Sequence, residues 1–117
     1  MKPDSRDTQI LRWAWALTVL TALVLCATTL SPGMPSVGPP GSDKWQHFAG
    51  FALLALPLGY ARPAWGWCIV LGVAIFGGMI ELVQPHVGRD AEWGDLAADT
   101  IGAAVGVLAA RLLPRQL

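Results

Sequence analysis

Polar residues break the chain at only a few points, leaving four apolar runs at residues 13–30, 45–60, 65–84 and 96–113. No run alternates apolar and polar residues with period two, so strands are not expected. Each run approaches the roughly 20 residues that a helix needs to cross a bilayer. With their polar first turns, the runs predict transmembrane helices at about 13–30, 44–60, 65–84 and 95–113. The expected fold is an all-α transmembrane bundle of four helices, a single domain over residues 1–117. All six tryptophans (Trp13, Trp15, Trp45, Trp65, Trp67 and Trp93) and Tyr60 stand at the run boundaries. Amphipathic rings favour the headgroup level, so they mark the same boundaries independently.

The connections read differently from one another. Residues 31–42 carry four prolines and three glycines, which excludes helix, and they are apolar enough to lie on the membrane surface. Residues 61–64 form a tight turn, and 85–94 a polar loop. Pro57 is the one proline inside a run, a point where the second helix can kink. The first run has a basic flank, but its apolar stretch, 18 residues long, exceeds a signal peptide's apolar region, so it is expected to be a retained helix.

Composition narrows the class. Apolar residues make up 54% of the chain and charged residues 14%, with a mean hydropathy of +0.49. Soluble domains carry about a quarter charged residues, and disordered chains are far less apolar. Eight basic residues balance eight acidic ones, which argues against nucleic acid as a partner. The two cysteines, Cys26 and Cys68, sit inside apolar runs and read as packing residues rather than as a disulfide. So do Ala14, Thr18 and Ala22, spaced by four along the first helix with Cys26.

Charge then sets an orientation. With both termini cytoplasmic, Lys2, Arg6, Arg12, Arg62, Arg111 and Arg115 lie inside, and only Lys44 and Arg89 lie outside. Six against two obeys the positive-inside rule. Asp4 and Asp7 fall inside; Asp43, Glu81, Asp90, Glu92, Asp95 and Asp99 fall outside. The outer end therefore sums to −4 (two basic, six acidic) and the inner end to +4 (six basic, two acidic).

The outer charges gather on particular helix faces. Asp43 and His47 are four apart, as are Asp95 and Asp99, while Glu81 and Gln84 are three apart. Gly77 shares the stripe of Glu81, and Gly102, Gly106 and Ala110 continue that of Asp99, a small-residue pattern for close helix packing. His47, Glu81 and Asp99 each lie about one turn inside a helix end, roughly 6 Å deep, and are expected to meet in one layer. Asp43, Lys44, Gln84, Arg89 and Asp95 are expected to form a rim above them, with Arg89 reaching over the layer. Plainer roles stand beside these. Asp43 and Asp95 suit helix N-caps, Lys44 and Trp45 suit interface anchors, and His86 and Glu92 suit a solvated loop. Ionisable groups at membrane depth are costly, so Glu81 and Asp99 point to function or to a buried pairing.

In this order the residues resemble the VanZ-like family. Its pattern reads D-K-x-x-H, then E-x-x-Q, an Arg, and D-x-x-x-N-x-x-G. Here Asp43, Lys44 and His47 are followed by Glu81 and Gln84, then Arg89, then Asp95, Asp99 and Gly102. The likeness covers residues 42–113, and Asp99 replaces the family's usual Asn. The resemblance implies a small multi-spanning protein of the bacterial inner membrane, of a family associated with reduced susceptibility to teicoplanin-type glycopeptides.

Three classes of function stay open. His47, Glu81 and Asp99 can act as general acid and base, with Lys44 and Arg89 holding an anionic group of a lipid-linked envelope substrate. Ser42 and Thr100 are the nearest hydroxyl nucleophiles. The same crown can instead bind an envelope lipid or peptidoglycan precursor without turnover. Or the cluster only locks the helices together. A divalent cation on His47, Glu81 and Asp99 fits the donor types, but the spacing matches no named motif and no metal is assigned. The expected partners are membrane lipid, an envelope precursor and, through the small-residue faces, further copies of the chain.

Overall fold

The computed structural model describes residues 5–31, 42–88 and 91–114, the side chains of Ser42 and Asp43 excepted. Four helices form a bundle: α1 (Ser5–Leu30), α2 (Ser42–Ala61), α3 (Gly66–Val83) and α4 (Trp93–Leu112). Helix α1 starts eight residues before its apolar run, because the polar segment from Ser5 to Arg12 contains no helix breaker. Helix α2 continues through Pro57. Short 3₁₀ turns, Pro63–Trp65 and Gln84–Val87, flank α3, and Gly88 (φ 75°) ends the second in the left-handed region that suits glycine. The proline- and glycine-rich segment expected on the membrane surface lies outside the described residues over 32–41.

The helices run alternately up and down, so α2 and α4 are parallel. They form the most extensive interface of the bundle, with α1 against α2 and α3 against α4. Small residues explain this. A Cβ added at Gly102 would collide with the Phe48 carbonyl, and one at Gly106 with that of Ala52. The stripe expected from the sequence thus packs α4 directly on the α2 backbone. The apolar core consists of Phe51, Leu54, Ala55, Leu58 and Ala61 from α2, Ile69, Val73 and Ile80 from α3, and Ala103 and Val107 from α4, with Ala14 of α1. Cys68, expected in the core, is exposed on the outer side of α3, whereas Cys26 is half-buried, and both are free thiols.

The distribution of polarity is inverted relative to a water-soluble bundle. Glu81, Gln84, Asp95 and Asp99 are buried. Trp67, Trp13, Leu23, Leu71, Leu82 and Leu108 are among many large apolar side chains on the outside. Monomeric soluble proteins rarely expose apolar surface on that scale. Among the described residues, two helical segments, Ser5–Leu30 and Pro63–Val87, are long and apolar enough to cross a membrane.

Candidate functional site

The parallel α2–α4 pair brings two helix N-termini side by side, and the C-terminal end of α3 packs against them. His47 lies in the second turn of α2, Asp95 and Asp99 in the first two turns of α4, and Glu81 in the last turn of α3. Glu92 occupies the N-cap position of α4 without a side-chain cap bond, and Asp95 lies in the first turn. Asp95 is therefore not the N-cap. Its carboxylate instead meets the positive end of the α4 dipole and faces the side chains of α2.

His47 sits between two carboxylates. Its Nδ1 is 2.8 Å from Asp99 Oδ1, a hydrogen bond, and its Nε2 is 3.6 Å from Asp95 Oδ2, a charge contact at longer range. The ring stacks nearly parallel to Phe51, one turn further along α2, which fixes its plane. Glu81 enters from α3. One oxygen, Oε2, accepts the Glu92 backbone N–H at 2.8 Å, satisfying a donor that the start of α4 leaves open. The other, Oε1, is buried without a partner among the described residues, as is Asp99 Oδ2. Asp99 Oδ2 points at α3, where a Cβ on Gly77 would come within 2.7 Å of it. Glycine at 77 thus makes the space into which the Asp99 carboxylate fits beside Glu81.

The layer expected from the sequence is present. One donor atom from each of His47, Glu81 and Asp99 lies within 4.8 Å of the other two. Above it, Lys44 Nζ contacts Glu92 Oε2 at 2.6 Å and Asp95 Oδ1 at 3.5 Å. Lys44 and Glu92 are about half exposed, and the His47 side chain retains 11% exposure, so the layer is reached from this end of the bundle. Two of the expected rim residues fall elsewhere. Gln84 is buried and turned to α1, where its amide donates to the Thr29 carbonyl at 3.1 Å, one of the carbonyls that a helix end leaves unpaired. Asp95 is buried below the rim. Arg89 and the Asp43 side chain lie outside the described residues.

Glu92 joins the site unannounced by the sequence. It was expected to be a solvated loop residue, and its carboxylate is half exposed. Yet it binds Lys44 through its side chain and Glu81 through its backbone N–H. His86, expected in the same loop, is exposed.

Chemically, the cluster combines a nitrogen base, two buried carboxylates with free oxygens and a third carboxylate beside the ring. Burying an ion costs several kcal/mol even after relaxation, so such a group needs neutralisation by a shared proton, a cation or a ligand. No family model, curated protein or solved structure matches the chain.

Proposed function

We propose that the chain is a VanZ-like protein of the bacterial inner membrane, with four spanning helices and both termini cytoplasmic. Its polar cluster faces outward and binds or acts on a cell-envelope component, a lipid headgroup or lipid-linked precursor. The observation that carries this reading is the burial of Glu81, Asp95 and Asp99 around a partly exposed His47, at one end of a bundle whose outside is apolar. The other end supports the orientation: Arg62 lies over the Trp65 ring, and Arg111 reaches the Pro63 carbonyl, a basic and aromatic layer of the kind found at a cytoplasmic interface. Lys44 in the crown supplies a cation that an anionic headgroup can share with Glu92 and Asp95. The link to teicoplanin-type glycopeptides rests on the resemblance alone.

The position of His47 between Asp95 and Asp99 favours acid–base chemistry as a second reading, with the imidazole taking a proton from a water or hydroxyl and an acid steadying it.

The experiment is binding of a polyprenyl-diphosphate-linked precursor to the purified chain in nanodiscs, read by native mass spectrometry. Glu81→Gln and Asp99→Asn keep shape and change charge. Each is expected to weaken binding at least about tenfold, roughly 1.4 kcal/mol, while leaving the protein folded in the membrane. Unchanged binding in both variants would make the cluster a purely structural device. Orientation is read separately: an outside-added thiol reagent should label Ser36→Cys and spare Gln116→Cys.

A further inference from the structure

We infer that His47, Glu81 and Asp99 are the three protein ligands of a divalent transition-metal ion, held between α2, α3 and α4. This goes beyond the envelope-ligand reading and does not depend on it.

Three observations converge on the ion. The first is distance. Three atoms mutually within 4.8 Å share a point no farther than about 2.8 Å from each (4.8 Å divided by √3), so a closure of less than about 1 Å reaches the 2.0–2.2 Å bonds of zinc to imidazole and carboxylate. The second is unused acceptor capacity. Glu81 and Asp99 are 1% and 0% exposed, and each keeps one oxygen without a partner among the described residues. Buried polar atoms in native proteins are nearly always satisfied, and two buried carboxylates with spare acceptor oxygens beside one another suit a dication, whose charge balances both. Lys44, the described cation nearest the cluster, is engaged above with Glu92 and Asp95.

The third is the surroundings of the ligands. His47 Nδ1 faces Asp99, and the opposite ring nitrogen faces the Asp95 carboxylate at 3.6 Å. A metal-binding imidazole typically directs its other N–H to a carboxylate, which fixes the tautomer and raises its basicity. Glu81 is oriented similarly, one oxygen tied to the Glu92 N–H and the other left over. The imidazole nitrogen favours zinc, iron, copper or nickel over magnesium or calcium. Three protein ligands leave a coordination position open, as in sites that handle a water or a substrate oxygen. The spacing in sequence matches no motif because the ligands come from three different helices.

The test uses the full chain in detergent micelles, stripped with a chelator, titrated with Zn²⁺ by calorimetry and with Co²⁺ by visible absorption. One ion per chain is expected, with Co²⁺ bands that Zn²⁺ abolishes. His47→Ala, Glu81→Gln and Asp99→Asn should each weaken Zn²⁺ binding by at least about 100-fold, and Asp95→Asn, which keeps all three ligands, by about 10- to 100-fold. His86→Ala, far from the cluster in role, should bind as the parent does. Absence of Zn²⁺ and Co²⁺ binding by the folded parent overturns the inference, as does parental affinity in Glu81→Gln or His47→Ala, or binding of Mg²⁺ alone. If Asp99→Asn fails to fold, Glu81→Gln and Asp95→Asn decide the matter. No envelope lipid enters the assay, so failure here leaves the precursor-binding reading standing, and failure of precursor binding leaves the ion standing.

Discussion

The α2–α4 seam and helix α1 represent opposite ways of holding a helix in a bundle. Along the seam, Gly102 and Gly106 let α4 rest on the carbonyl groups of α2, with no side chain between. Helix α1 is longer and more uniformly apolar, but only 6% of its apolar window is buried within the protein. It buries only Ala14 in the core, packs Ile10, Leu11, Ala22, Leu25 and Leu30 partly against it, and is tied at its end by the Gln84 amide. Precision is therefore concentrated where the cluster is built, and α1 contributes apolar exterior. The difference follows from what each must do: a hydrogen bond of 2.8 Å between His47 and Asp99 requires fixed backbones, whereas a lipid-facing surface tolerates movement.

The sharpest way to break this contrast is Gly106→Leu. It drives a branched side chain into the Ala52 backbone, which cannot yield as a side chain can. We expect loss of folded, monodisperse protein, or destabilisation of about 3 kcal/mol or more, measured by thermal unfolding in detergent. A parental melting curve would show that the seam is not the stiff element. A smaller effect is expected from Gly102→Ala, whose single methyl meets the Phe48 carbonyl. Alanine gains about 1 kcal/mol in helix propensity, yet the net result should be a loss of about 1–3 kcal/mol. The same change at Gly50 sharpens the comparison, because there the new methyl meets Leu25 Cδ2 at 2.8 Å, the mobile end of a side chain on α1. Gly50→Ala should be neutral to within about 1 kcal/mol, and an equal penalty at 50 and 102 would erase the distinction drawn here. The smallest effects belong to the outer faces. Leu23→Ala on α1 and Leu108→Ala on α4, both mostly exposed, should stay within about 0.5 kcal/mol of the parent.

Much of this arrangement is legible in the amino-acid sequence, and the reasons are specific. Apolar runs delimit four helices because a helix that is apolar nearly all round has few other uses. The meeting of His47, Glu81 and Asp99 is legible because helical periodicity fixes which positions share a face, and small residues reveal which face is packed. Gln84 is where that logic drifts. Three residues of α-helix already fall about 60° short of a full turn, and Gln84 also begins a 3₁₀ turn, so its side chain reaches α1 instead of the cluster. Glu92 escapes notice for another reason. Its contribution to Glu81 is a backbone N–H, which every residue but proline carries and no letter in the sequence marks.

That residue has a consequence for how the two levels of the site communicate. Glu92 grips Lys44 with its carboxylate and Glu81 with its backbone, so one residue ties the half-exposed crown to the buried layer. If an anion that draws Lys44 away from Glu92 also shifts the Glu92 backbone, it alters the free energy of keeping the Glu81 carboxylate in place. Thermodynamic reciprocity then requires that whatever occupies the lower layer alter the affinity of the crown by the same factor.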